Sequence, residues 1–145
     1  MKNIILLIIF LITITSCNKK ESLNTTFNIE GTWKMIYAET LENDSLKLKD
    51  LSNTTFIKII NSSHFSFFNQ DKKGTNNFYS GAGTYFLNKN NYIETLQYTT
   101  VESIKNHQFS FNILIKGDTL IQSGVEKVEA AGINRQIVEK YIKLN

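Results

Sequence analysis

The chain has one cysteine, Cys17, no proline, one tryptophan and two histidines, and each shortage closes off a class of structure or chemistry. A single thiol cannot form an intrachain disulfide, so burial and hydrogen bonding must hold the fold. His64 and His107 have no spaced set of His, Cys, Asp or Glu beside them, which leaves no metal or haem pattern. A Gly-x-Ser-x-Gly elbow and a legible Ser-His-Asp arrangement are both missing. Gly81 and Gly83 do not make a phosphate loop, because no Lys-Ser/Thr or helix start follows them; they read as a bulge or a close backbone approach. No catalytic residue, cofactor or metal is therefore expected, and an enzyme is the weakest functional class. Net charge is only +3 with the basic residues scattered, so there is no nucleic-acid footprint. The excess of Asn, Lys and Ile over proline is the bias of an AT-rich coding sequence, so no single Asn or Lys carries an argument alone.

The chain opens with Met1 and Lys2, an apolar run over residues 4–14, then Thr15, Ser16 and Cys17. A run of about eleven residues is too short for a helix that crosses a bilayer, which needs about 20, and reads as a cleaved signal. Ile14-Thr15-Ser16-Cys17 resembles the bacterial lipobox. That resemblance implies diacylglyceryl attachment to the Cys17 thiol, cleavage before it and acylation of the new amine with a fatty chain such as palmitate. Each buried CH₂ contributes about 0.8 kcal/mol, so two or three chains anchor firmly where one does not. Residues 1–16 are thus expected as signal peptide, 17–29 as lipidated Cys17 with a flexible tether, and 30–145 as one domain. Lys19 and Lys20 add only about 1 kcal/mol each near an anionic surface. Asn18 is not the Asp that marks inner-membrane retention in some bacteria, which favours the outer membrane of the envelope; the periplasmic and surface faces stay open.

From residue 30 onward, short aromatic and β-branched runs alternate with turn residues and helical period is nearly absent. Strands are expected at 31–40, 55–60, 64–69, 83–87, 92–99, 108–116, 119–123 and 136–144, with a polar connection over 41–53 and a helical turn or loop over 125–131. The first strand places Trp33, Met35 and Tyr37 on one face. The fifth places Tyr92, Glu94, Leu96 and Tyr98 on one face. Between the fourth and fifth, Asn88-Lys89-Asn90-Asn91 reads as a tight hairpin, since Asn tolerates the positive φ such turns need. Eight antiparallel strands in sequence most simply close as an up-and-down barrel, with room for one small ligand; a two-sheet sandwich is the alternative.

Gly31-Thr32-Trp33 resembles the Gly-x-Trp motif of lipocalins and related calycin barrels, where the Trp closes one barrel end. Gly81-Ala82-Gly83-Thr84-Tyr85, the Asn-rich turn and Tyr92-Ile93-Glu94 resemble the "GGxY, turn, YxE" hairpin of small lipocalin-like envelope proteins. His64-Phe65 and the terminal Glu139-Lys140-Tyr141-Ile142-Lys143 also fit, with Ala82 for a glycine and Tyr141 and Lys143 for the usual Trp and Arg. In a closed meander the first and last strands are antiparallel neighbours, which puts Lys143, not Arg135, beside Trp33 as a barrel-end partner. Inward faces would give a cavity lined by Trp33, Tyr85, Tyr92, Glu94, Tyr98 and Tyr141, and a buried Glu94 or Glu139 would need a partner such as Lys143, a Tyr hydroxyl or a ligand amine.

The leading expectation is a lipid-anchored, lipocalin-like module that binds a small, mostly apolar ligand; the alternative is an interaction domain of an envelope assembly with a filled core. Acid-base chemistry would need Glu94 and His64 or Tyr85 within about 3 Å of each other across a cavity. Partners are then the membrane through Cys17 and a small apolar ligand, with no nucleic acid and no protein partner legible.

Overall fold

The computed structural model describes residues 28–74 and 76–144. The signal segment, Cys17 and most of the tether lie outside them.

Among the described residues nine strands follow in chain order: β1 (Gly31–Glu42), β2 (Ser45–Leu48), β3 (Thr54–Ile60), β4 (His64–Asp71), β5 (Tyr79–Asn88), β6 (Asn91–Thr99), β7 (His107–Lys116), β8 (Thr119–Val128) and β9 (Ile133–Leu144). All pairings are antiparallel, in the order β2-β1-β3-β4-β5-β6-β7-β8-β9, and β9 returns to β1. Eight of the strands close the expected up-and-down barrel. Closure is long, running from Thr32 opposite Leu144 to Leu41 opposite Gln136, so the barrel has no long free edge there. β2 is an extra short arm that extends β1 beyond the reach of β3.

Four expectations about the strands are corrected. The supposed polar connection contains β2, turned by Asn43 and Asp44, both at positive φ (50° and 57°). That is a two-residue hairpin turn of the kind Asn and Asp accept most readily. Residues 125–131 are not helical: β8 runs on to Val128, and only Glu129–Ala131 form a 3₁₀ turn, ended by Gly132 at φ 64°. β5 begins at Tyr79, four residues before the expected start. In the β5–β6 turn it is Lys89, not an Asn, that takes the positive φ of 56°.

Two bulges decide which side chains point inward. In β1, Met35 pairs with Tyr141 and Tyr37 with Lys140, so Ile36 is the extra residue. Trp33 and Met35 face the core, but past the bulge it is Ala38 that is buried, while Tyr37 is only partly covered. In β6, Leu96 pairs with Gly83 and Tyr98 with Ala82, leaving Gln97 unpaired and turning Tyr98 outward, 68% exposed. Gly83 permits that crossing of backbones, since a Cβ there would overlap the Thr95 carbonyl oxygen.

One end of the barrel is packed shut. Ile29, Trp33, Phe65, Tyr92 and Leu120 are all 2% exposed or less, and the Trp33 indole N–H donates to the Ile29 carbonyl at 2.8 Å. The chain before β1 thereby becomes the plug of that end.

Candidate functional site: the lumen above a charged floor

The other end is open. Between the packed end and the mouth lies a cavity of about 260 Å³. Its walls are aromatic and aliphatic: Phe56 of β3, Phe67 of β4, Leu96 of β6, and Phe109 and Phe111 of β7. Phe56 and Phe67 stack with ring centroids 5.5 Å apart, and Phe109 and Phe111 at 6.2 Å, so the walls are two aromatic panels on different strands. At the mouth stand Tyr79, Thr99 at the end of β6, Thr100, Val101 and Ile104 beyond it, and the ion pair of Arg135 with Glu126, Nε to Oε2 2.5 Å.

The floor is polar. Lys58 of β3 occupies an inward position between Phe56 and Ile60 and is 2% exposed. Its ammonium pairs with the Glu94 carboxylate, donates to Gln122 Oε1 at 2.7 Å, and lies 5.2 Å from the ring centroid of Tyr92, 5.5 Å from Phe65 and 5.9 Å from Tyr141. The Glu94 oxygen that meets the ammonium is Oε1. Glu139 stands directly opposite Gln122 in the β8–β9 register and is half-buried in the cavity wall. It accepts from the Tyr141 hydroxyl at 2.6 Å.

Two cations and three carboxylates line the cavity: Lys58 and Arg135 against Glu94, Glu126 and Glu139. Fully ionised, the lumen carries one negative charge in excess. Burial is the main force on its titrating groups. It lifts the Glu139 carboxyl above its ordinary range, against the pull of the Lys58 ammonium and the Tyr141 hydroxyl. It also raises the Tyr141 phenol, helped by Glu139 and Glu94, and the Tyr92 phenol, helped by Glu94. Both phenols therefore stay neutral. The Tyr92 hydroxyl is fully buried beside the Glu94 carboxylate, with no other polar partner among the described residues.

The residues expected to line one cavity divide into three groups. Glu94 and Tyr141 line it. Trp33, Tyr85 and Tyr92 belong to the packed end: Tyr85 and Tyr92 sit with rings 5.2 Å apart, and the Tyr85 hydroxyl donates to the Asn61 carbonyl at 2.7 Å. Tyr98 is on the outside, placed there by the bulge at Gln97. Trp33 and Lys143 are direct partners across β1 and β9, and the ammonium lies 5.5 Å from the indole centroid. A Cβ on Gly31 would lie 2.7 Å from Lys143 Cε, so the glycine of Gly-x-Trp leaves the groove in which that side chain runs. Arg135 is at the mouth, at the other end of β9. His64 is exposed, with Nδ1 2.8 Å from Ser63 Oγ, and does not line the cavity. Glu94 is thus brought to Lys58; Tyr85 is its cross-strand neighbour on β5, but the Tyr85 hydroxyl is spent on the Asn61 carbonyl, and His64 is exposed on the surface.

Lys58 and Gln122 went unmarked in the sequence although a signal existed. In Phe56-x-Lys58-x-Ile60 and Leu120-x-Gln122, a polar residue stands in the inward phase of an apolar alternation. Among the described residues no group of three His, Cys, Asp or Glu side chains is placed to hold a metal, and no helix is long and apolar enough to cross a membrane. No family model matches this chain, and no curated protein matches it.

Proposed function

We propose that the chain is a membrane-anchored, lipocalin-like lipoprotein of the bacterial envelope whose barrel takes a small, mostly apolar ligand through its open end. The observation that carries this is the asymmetry of the lumen, plugged by Trp33 and Ile29 at one end and left as an aromatic-walled cavity at the other. A cavity of about 260 Å³ is below the range of about 300–1,000 Å³ typical of drug-sized ligands, so the ligand is a small one. The anchor is supported by Ile14-Thr15-Ser16-Cys17 alone.

Binding of the neutral probe 2-phenylethanol to the full chain tests the lumen. Saturable binding is expected, and Leu96→Trp, which fills the cavity from its wall, should abolish it while the chain stays folded by circular dichroism. Absence of binding in the unmutated chain, or binding unaltered by Leu96→Trp, would instead favour a filled core acting through its surface.

A further inference from the structure

The cavity walls ask only for apolar contact, but the floor makes a narrower demand. The Lys58 ammonium is already committed to Glu94, to Gln122 and to three aromatic faces, so it has little to offer an incoming anion. Glu139 is differently placed. Its only hydrogen bond among the described residues comes from Tyr141, it has no cation of its own in ion-pair contact, and it lines the open cavity. Glu94, 94% buried, is by contrast neutralised by Lys58 through its Oε1, as Glu126 is by Arg135. Of the three carboxylates in the lining, Glu139 is therefore the one without a cation, in a space walled by rings that also attract cations.

We infer that the lumen selects small aromatic or alkyl amines, the ammonium seated at Glu139 and the apolar body between the Phe56–Phe67 and Phe109–Phe111 panels. The inference rests on the ligand-binding reading of the same cavity. It supplies the missing cation: an ammonium at the floor neutralises the surplus charge and gives Glu139 a charge partner. A ligand carboxylate would instead add a fourth negative charge to the lining.

Three probes of matched size separate the possibilities: 2-phenylethylamine, 2-phenylethanol and phenylacetate, titrated calorimetrically into the full chain. The amine is expected to bind at least about tenfold more tightly than the alcohol, and the carboxylate more weakly than either. Glu139→Gln should reduce the amine-to-alcohol ratio to within about twofold of unity. In the unmutated chain the same ratio should fall as pH is lowered and Glu139 is protonated, the groups facing it being Lys58, Glu94, Gln122, Glu126 and Tyr141. Equal binding of all three probes would overturn the amine preference and leave the lumen as a binding site. An unchanged ratio in Glu139→Gln would overturn the role of Glu139. Failure of all three to bind would overturn both the preference and the function on which it rests.

Discussion

Lys58 and Glu94 form a pair that neither partner can leave without cost. Removing one side of a buried ion pair strands the other charge, and such losses run at about 3–5 kcal/mol, whereas replacing both by apolar groups of similar size is often neutral. Lys58→Met should therefore lower the unfolding free energy by about 3–5 kcal/mol in urea titration, and Lys58→Met with Glu94→Leu should recover most of the loss. A double variant as unstable as the single one would mean that Gln122 and the surrounding rings, not charge pairing, account for the effect. Glu139 has the opposite sign. Its carboxyl is held above its ordinary range, so the folded chain binds more protons than the unfolded one between that range and the raised value. Stability contributed at Glu139 is thus lost as pH rises through this window. Glu139→Gln should be no more stable than the unmutated chain near pH 4, about the ordinary Glu range, and more stable at pH 7. Thermal unfolding at the two pH values checks this, and a gain confined to acid would contradict it.

At the scale of strands, two bulges separate what the alternation of side chains implies from what the barrel does. Gly83 is the point at which the β5–β6 crossing depends on a missing Cβ. Gly83→Ala must move the Thr95 backbone and is expected to cost about 3 kcal/mol, seen as a lowered melting temperature with the fold retained. A loss under 0.5 kcal/mol would show that the bulge relaxes freely. Strand existence was legible because Phe109, Phe111, Ile113 and Ile115 alternate without interruption, and because Asn61-Ser62-Ser63 and Gly117-Asp118 mark their turns by type. The Asn61 carboxamide oxygen does accept from the backbone N–H groups of Ser63 and His64. Tyr37 and Tyr98 were misplaced for one shared reason. A bulge shifts the phase of everything beyond it, and neither Ile36 nor Gln97 differs in type from an ordinary strand residue. β2 was hidden by its composition: all four of its residues are exposed, so no buried face marks it. The floor was half legible, since Glu94 was placed on an inward face, but its partner lies 36 positions earlier in the chain and only closure of the sheet brings the two together.

For the whole molecule, the plug, the cavity and the chain start have a fixed relation. Ile29 packs under Trp33, so the chain enters at the closed end and the mouth opens at the other. With Cys17 as the anchor we propose, the membrane is tethered to the plugged end. Cys17→Ala should move the protein from the membrane to the soluble fraction, or leave it misprocessed, and shift the barrel's melting temperature by less than about 1 °C, because a lipid outside the domain adds nothing to its core. Retention in the membrane fraction of a chain from which the signal has been cleaved would remove the anchor from the proposal.

We place the ligand in the lumen and not in the outer aromatic groove around Phe68, Phe78 and Tyr98. Titrating 2-phenylethylamine into isotopically labelled chain while following backbone amide and methyl resonances distinguishes the two. Saturable shifts centred on Lys58, Glu94, Leu96, Phe111 and Glu139 are predicted; shifts centred on Phe78 and Tyr98, or none at all, would contradict the claim.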